Sequence, residues 1–510
     1  MLAKPYHLIN PTFFRTPENF VPPRTIQFRR NATTIQPIPI SLPNSRVSTQ
    51  EIIDEKIVAF WDYQFLFMSQ RLEVPNPIKL KLIEGALPKD FPLGTYYLTG
   101  PGLFIDDYGS NIHPLDGHGY LRAFEINGPK GEVRFSAKYV KTKAQMEECD
   151  PISGSWRFTH RGPFSVLKNT KVMKNVALLT GDSCRNFKSE FDPNFKLLQK
   201  KEFNISGHSM IHDWAFTNTH YILFTNRVKL DVLGTMAAIS GKAPMISALS
   251  VNHSKPTSSI YLLPRFTNNT TNCNSDEYWR KPIEAPQLWL LHVANAFENV
   301  DDDGSLRIQI HATACAYKWF NFQKMFGYNW QNDKLDPSMM NCKEGKEQRL
   351  PQLIEVTIKL DKNRKHRECS ITRLNNRAKS SDFPMINPEC CGYKHRFVYA
   401  AASCGSHQTL SHFPFETILK LDNLTKKVCT WSPGIRRFVG EPMFVNKGSF
   451  GDEDNGYLLV VEYVVSRRMC NLVILDAKRI GDARAVIAKF EVPKSLTFPL
   501  GFHGAWTLKQ

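Results

Sequence analysis

At 510 residues, 42% hydrophobic and 22% charged, the chain has the composition of a globular protein with a large core, which excludes disorder as its default state. A net charge of +17 favours an anionic partner, but the basic residues are scattered and no homeodomain, zinc-finger or RNP signature occurs. This argues against nucleic acid and leaves open an anionic lipid surface or a merely basic one. No apolar run of about 18 residues exists, so no helix spans a membrane.

In chain order, residues 1–48 come first as a tail. Across residues 1–50 Glu18 is the only acid, against Lys4, Arg15, Arg24, Arg29, Arg30 and Arg46, amid Pro, Thr, Asn and Ser. This acid-poor, basic, hydroxyl-bearing composition resembles an organellar transit peptide, and there is no secretory h-region. Residues 49–510 are the folded part. In Glu51–Glu73, Ile57, Phe60, Trp61, Phe65 and Met68 recur at helical spacing, predicting an aromatic face that packs on the core or dips into lipid.

From about Ile78 onward the pattern is one of short strands. Segments such as GTYYLTGPG, YLRAFEI, EVRFSAKYV, YILFTNRVKL, QLIEVTIKL, GYLLVVEYVV and NLVILDAKRI are separated by Gly, Pro, Asn and Asp turns. Strand after strand at short spacing predicts an all-β sandwich, barrel or propeller, and at this length the closed form leans to a β-propeller, although no WD or kelch repeat is present.

Three histidines sit inside strand-like apolar segments: His212 in SMIHDWAF, His292 in QLWLLHVANAF and His503 in FPLGFHGAW. A buried imidazole needs a hydrogen-bond partner or a metal, and a single one is most simply a satisfied core residue. On three distant strands of a propeller, whose inner strands converge on one axis, they can meet and hold Fe, Zn, Cu or Ni. Ligating histidines donate their other N–H to an oxygen, and Asp382 in SSDFPMINP and Glu441 in RRFVGEPMFV are candidate partners. Trp214 and Phe297, beside these histidines, are candidate linings for a ligand tunnel or ordinary core. The 11 cysteines are odd in number and lack framework spacing, which predicts reduced thiols. Cys390, Cys391, His395, Cys404 and His407 lack the CxxC pair of a zinc site. GHSMI lacks the second Gly of a nucleophile elbow, and no P-loop or dinucleotide fingerprint occurs.

With FPLGTYYLTGPGLF, HPLDGHGYLRAF, VLKNTKVMKNVA, SMIHDWAFT, LLHVANAFE, SDFPMINP, FVGEPMFV and FPLGFHGAW in this order, the chain resembles the carotenoid cleavage dioxygenases, relatives of the retinal-pigment-epithelium isomerase. Its wording is most similar to the plastid branch that cleaves 9-cis-β-carotene at the 9′,10′ double bond to open strigolactone biosynthesis. The resemblance implies a seven-bladed β-propeller under a dome of helices and loops, and one axial Fe(2+) held by four histidines. It implies O₂ and a carotenoid as substrates, a plastid stroma location and peripheral contact with a membrane. His212, His292 and His503 match ligand positions, and Asp382 (glutamate in the family) and Glu441 match the carboxylates behind them. His208 matches no ligand position.

The fourth histidine of the family pattern, and a glutamate before it, have no counterpart. VLKNTKVMKNVA ends at Ala177 and runs straight into LLTGDSC at Leu178. The resemblance therefore implies a missing segment near 177–178 of roughly a blade or more, at about 40–50 residues per blade. His208 is the only histidine between Ala177 and His212, and on a continuous strand both would share one face about two repeats apart, too far to chelate one ion. The alternative to an active dioxygenase is a truncated, inactive propeller, as an isoform or gene-model artefact, at most a carotenoid binder.

Overall fold

Alternation in the sequence becomes alternation of burial. In the strand Gly119–Asn127 every second side chain is buried, from Tyr120 through Arg122 and Phe124 to Ile126. Where the sequence is apolar without a break, as in Gly456–Val464, all nine residues are buried because both faces of the sheet are covered. The computed structural model describes residues 55–509 apart from 160–182, 192–195, 241–242, 244, 266–280, 330–333, 337–338, 342–348, 364–366, 375–379, 405–409 and 449–450. The transit-peptide reading of residues 1–48, the junction at 177–178, His160 and His407 lie outside the described residues.

The protein is an all-β propeller. Among the described residues, five antiparallel sheets have four or more strands, against the seven blades that the resemblance implies. The first runs in the order Val74–Lys79, Glu132–Tyr139, Gly119–Asn127, Gly94–Pro101, His503–Leu508. Its last strand is the end of the chain, so His503 pairs with Thr99 and Leu508 with Gly94, and the two ends of the fold are closed into one blade. The second is built on His220–Leu230, flanked by Thr257–Pro264 on one edge and by the short strands Ser209–Met210 and Trp214–Phe216 on the other. The third is Trp289–Val300, Leu306–Cys315, Gln352–Leu360, Arg367–Arg373, and the fourth Ser381–Met385, Phe397–Ala402, Thr417–Asp422, Val428–Trp431. The fifth carries Gly456–Val464 and Met469–Asp476 at its centre, with Lys81–Gly85 on its outer edge. Beside these stands a hairpin, Ser183–Phe191 with Leu197–Ser206, paired only to itself among the described residues.

The innermost strands meet: Trp214–Phe216 and Ser381–Met385 both pack on Trp289–Val300, and Met443–Asn446 packs on His503–Leu508. The predicted N-terminal helix is present as Glu55–Phe65, but its aromatic face divides. Ala59, Tyr63 and Phe65 are buried, whereas Trp61 is 66% exposed and Met68 lies beyond the helix end. Asp62 accepts from Arg436 Nε at 2.8 Å and fixes that rotation. Two short helices, Lys143–Glu148 and Val232–Ile239, were not legible as such in the strand pattern.

Candidate metal centre

His212 does not lie within a continuous strand, contrary to the reading of SMIHDWAF. The ladder with His220–Leu230 pairs Met210 with Asn226 and Trp214 with Leu223, so three residues, Ile211, His212 and Asp213, face two. This bulge is stabilised by Asp213, which accepts the backbone N–H of Trp214 at 2.8 Å and that of Val293 on the next sheet at 2.7 Å. The bulge also breaks the period that would have placed His208 and His212 on one face. The ring of His208 makes no hydrogen bond or ring contact to the other site histidines, while its backbone carbonyl accepts from Val228.

The same device recurs at His292, Asp382 and Glu441. His292 lies between two register shifts, at Leu290/His292 and at Val293/Asn295. Asp382 precedes a third, between Asp382 and Met385, where Phe383 takes a φ of 55°. Glu441 sits where Gly440, Glu441 and Pro442 face two residues of Gly456–Val464, since Val439 pairs with Glu462 and Met443 with Leu459. His503 opens its strand. Each bulge turns one side chain out of the pleat toward the neighbouring sheets.

His212, His292 and His503 are thereby brought together. His212 Nε2 and His292 Nε2 are 3.3 Å apart, and the rings of His212 and His503 each lie 5.1 Å from that of His292 between centroids. His292 Nδ1 donates to Asp382 Oδ1 at 2.9 Å, which leaves its Nε2 lone pair facing His212. Asp382 also accepts from Thr313 Oγ1 at 2.5 Å and from the Phe383 N–H at 2.8 Å, so the aspartate, one methylene shorter than glutamate, does reach. His503 Nδ1 lies 3.4 Å from Glu441 Oε1, and the other oxygen of Glu441 accepts from the Gly504 N–H at 2.7 Å. No carboxylate is bonded to His212 among the described residues.

Burial pushes the His292 imidazole toward neutrality, but the charge and hydrogen bond of Asp382 outweigh it and its pKa lies above the ordinary value. Burial would raise Asp382, yet His292 holds it down to about 2. His212 is lowered by burial and then by His292. The donor set fits a metal that takes imidazole nitrogen. Two nitrogens bound to one ion at about 2.0–2.1 Å stand about 3–3.4 Å apart, as the His212–His292 pair does. The set is not closed, however: among the described residues no three His, Cys, Asp or Glu side chains gather at the full spacing of a metal-ligand group.

The imidazoles open onto a cavity of about 190 Å³ whose wall is mostly aromatic, including Trp319, Phe326, Phe383, Phe413, Phe415 and Phe502. Neither Trp214 nor Phe297 contributes. Trp214 is 44% exposed beside Phe216 and Tyr221, and Phe297 packs on His311 and His395. Side chains alternate along a strand, so neighbours in sequence to a ligand point elsewhere. Trp289 and Phe383 stand on strands, but most of the aromatic lining comes from segments between strands, where periodicity gives no signal; the repeated aromatics of KWFNFQKMF and HFPF could have marked that part. His395 is committed to His311 Nδ1 at 2.9 Å and Asn295 at 3.0 Å, and Cys404 to Glu416, so the Cys/His run of that region is spread over separate contacts.

The family described as retinal pigment epithelial membrane protein matches residues 67–179 and 164–508. The chloroplastic carotenoid cleavage dioxygenase 7 of Arabidopsis thaliana is 46% identical, over 92% of this chain and 94% of its own length. The chloroplastic carotenoid cleavage dioxygenase 7 of Oryza sativa subsp. japonica is 41% identical, over 89% and 92%. The crystal structure of cobalt-substituted Synechocystis ACO superposes with a TM-score of 0.68 at 23% identity, over 88% of this chain and 98% of that one. The Arabidopsis alignment runs over 584 positions, whereas 92% of 510 residues is about 469, so about 115 positions face no residue of this chain. The two matched stretches of the family meet at residues 164–179.

Proposed function

Since this chain belongs to the carotenoid oxygenase family of enzymes, we propose that it is built to cleave a carotenoid C=C double bond with O₂ at an iron(II) centre. Three imidazoles meeting at the wall of an aromatic cavity carry this reading. His212, His292 and His503 would hold Fe(2+), which when bound supplies the redox chemistry that O₂ requires. Asp382 and Glu441 keep the Nδ1 protons of His292 and His503 and so leave their Nε2 atoms as ligands. The aromatic wall excludes water and holds a rod-shaped polyene by its faces. The likeness to two carotenoid cleavage dioxygenases supports a carotenoid substrate, and the motif wording resembling the strigolactone branch narrows our proposal to 9-cis-β-carotene, giving 9-cis-β-apo-10′-carotenal and β-ionone. The location is the plastid stroma. No helix among the described residues is long and apolar enough to cross a membrane. Exposed Trp61, Met68 and Leu72 would instead dip into its surface to collect the substrate.

One group of observations favours a second reading, in which this chain is an inactive propeller. About 115 positions of the Arabidopsis relative face nothing here, the family match divides at 164–179, and His212 lacks a carboxylate among the described residues. The segment near 177–178 would carry the fourth histidine and the glutamate behind it. A single experiment separates the readings. The transcript is amplified across the codons for Lys174 to Thr180, and both products are expressed and assayed for iron and for apocarotenal. A longer transcript whose product binds about one iron and cleaves the carotenoid supports the dioxygenase. A transcript matching this sequence, with no iron and no product, establishes the inactive form.

A further inference from the structure

His292 and its carboxylate share a third partner that belongs to none of the matched positions. Thr313 stands opposite His292 in the ladder of Trp289–Val300 with Leu306–Cys315, so the two side chains leave the same face of that sheet. Thr313 is fully buried. Its hydroxyl oxygen accepts the backbone N–H of His292 at 3.3 Å. A hydroxyl has one proton to give, and it goes to Asp382 Oδ1 at 2.5 Å rather than to the His292 carbonyl at 3.4 Å. The same Oδ1 accepts from His292 Nδ1 at 2.9 Å. These bonds close a ring: His292 N–H to Thr313, Thr313 to Asp382, and the His292 imidazole N–H to Asp382. One residue is thereby gripped at its backbone and at its side chain by the same pair of partners.

The ring explains how an aspartate serves where the resemblance implies a glutamate. Asp382 comes from the neighbouring sheet, and its Oδ1 also accepts the Phe383 N–H at 2.8 Å. With donors at 2.5, 2.8 and 2.9 Å on one buried oxygen, a side chain longer by one C–C bond, roughly 1.5 Å, has no room while Thr313 stands there. His503 offers the contrast. It also faces a threonine, Thr99, but Glu441 takes a backbone donor from Gly504 and lies 3.4 Å from His503 Nδ1.

We propose that Thr313 is a positioning residue whose hydroxyl holds Asp382 against His292 Nδ1, so that His292 Nε2 stays aimed at His212, and that Thr313 and Asp382 form one unit standing in for a longer carboxylate. This rests on the metal-ligand reading of His292, and the first arm of its test uses no metal.

The full chain, isotope-labelled at its histidine nitrogens, is followed by NMR at one pH for the hydrogen-bonded Nδ1–H of His292, assigned by its loss in His292→Gln. Thr313→Val keeps the shape and removes the hydroxyl. It should lose most of that signal to exchange with water and bind cobalt(II) about tenfold more weakly, whereas Thr313→Ser should retain both. Asp382→Glu alone should lose the signal, and Asp382→Glu with Thr313→Ala should regain it. That pair decides the question should Thr313→Val fail to fold. An unchanged signal in Thr313→Val overturns the proposal, as does Thr313→Ser being equally damaging, which would assign the effect to packing. So does a double variant no better than Asp382→Glu. If the unaltered chain binds no cobalt(II) while the His292 signal still follows the Thr313 hydroxyl, the metal reading falls and the positioning role stands.

Discussion

The two sides of the proposed metal centre are built to different standards. On one side, His292 and His503 each have a carboxylate at Nδ1 supplied by the neighbouring sheet. On the other side, His212 follows a hairpin, Ser183–Ser206, that pairs only with itself among the described residues, and no carboxylate there is bonded to its ring. A ligating histidine is oriented by the oxygen bonded to its other nitrogen, and His212 has no such carboxylate among the described residues. The difference teaches that ligand positions can be present in sequence while the site is only partly prepared.

The largest expected effect tests the prepared side. His292→Ala should reduce cobalt(II) affinity more than 100-fold, by absorption titration, since it removes a proposed ligand and leaves the buried Asp382 carboxylate without its imidazole N–H donor. Near-normal binding in that variant would end the axial model. Next is local stability. Amides of Gly456–Val464, central in a sheet buried on both faces, should exchange hydrogen only through global unfolding, and those of Ser183–Ser206 at least about 100-fold faster through local opening. Equal protection would mean that the hairpin has support comparable to a complete blade.

Smaller effects grade the prepared side itself. Asp382→Asn should weaken cobalt(II) binding about 10–100-fold, and Glu441→Gln less, because the His503–Glu441 contact is longer at 3.4 Å and the His503 side chain is 49% exposed. Reversal of that order would show that His503 dominates. The smallest effect is a pH dependence. Burial and His311 depress His395 to about 3 from 6.5, so the unfolded chain takes up a proton there before the folded one does. Its contribution is complete above pH 6.5 and is lost as pH falls toward 3, at about 1.4 kcal/mol per pH unit. The urea midpoint should therefore fall between pH 7 and 5, and less steeply in His395→Gln.

The sequence by itself determined the class of fold, because a period-2 apolar pattern with Gly, Pro and Asn turns leaves little but short antiparallel strands. It also marked His212, His292, His503, Asp382 and Glu441, since charged or metal-capable groups in apolar strand segments demand partners. The break expected at Ala177–Leu178 rests on the resemblance and not on any local pattern. Tertiary structure alone decided the rest. The bulges at 211–213, at His292 and at Gly440–Pro442 that aim these side chains depend on register against a partner strand, which no local pattern encodes. The cavity wall is assembled from segments far apart in sequence, so Phe326, Phe413 and Phe502 share a surface that Trp214, next but one to His212, does not reach.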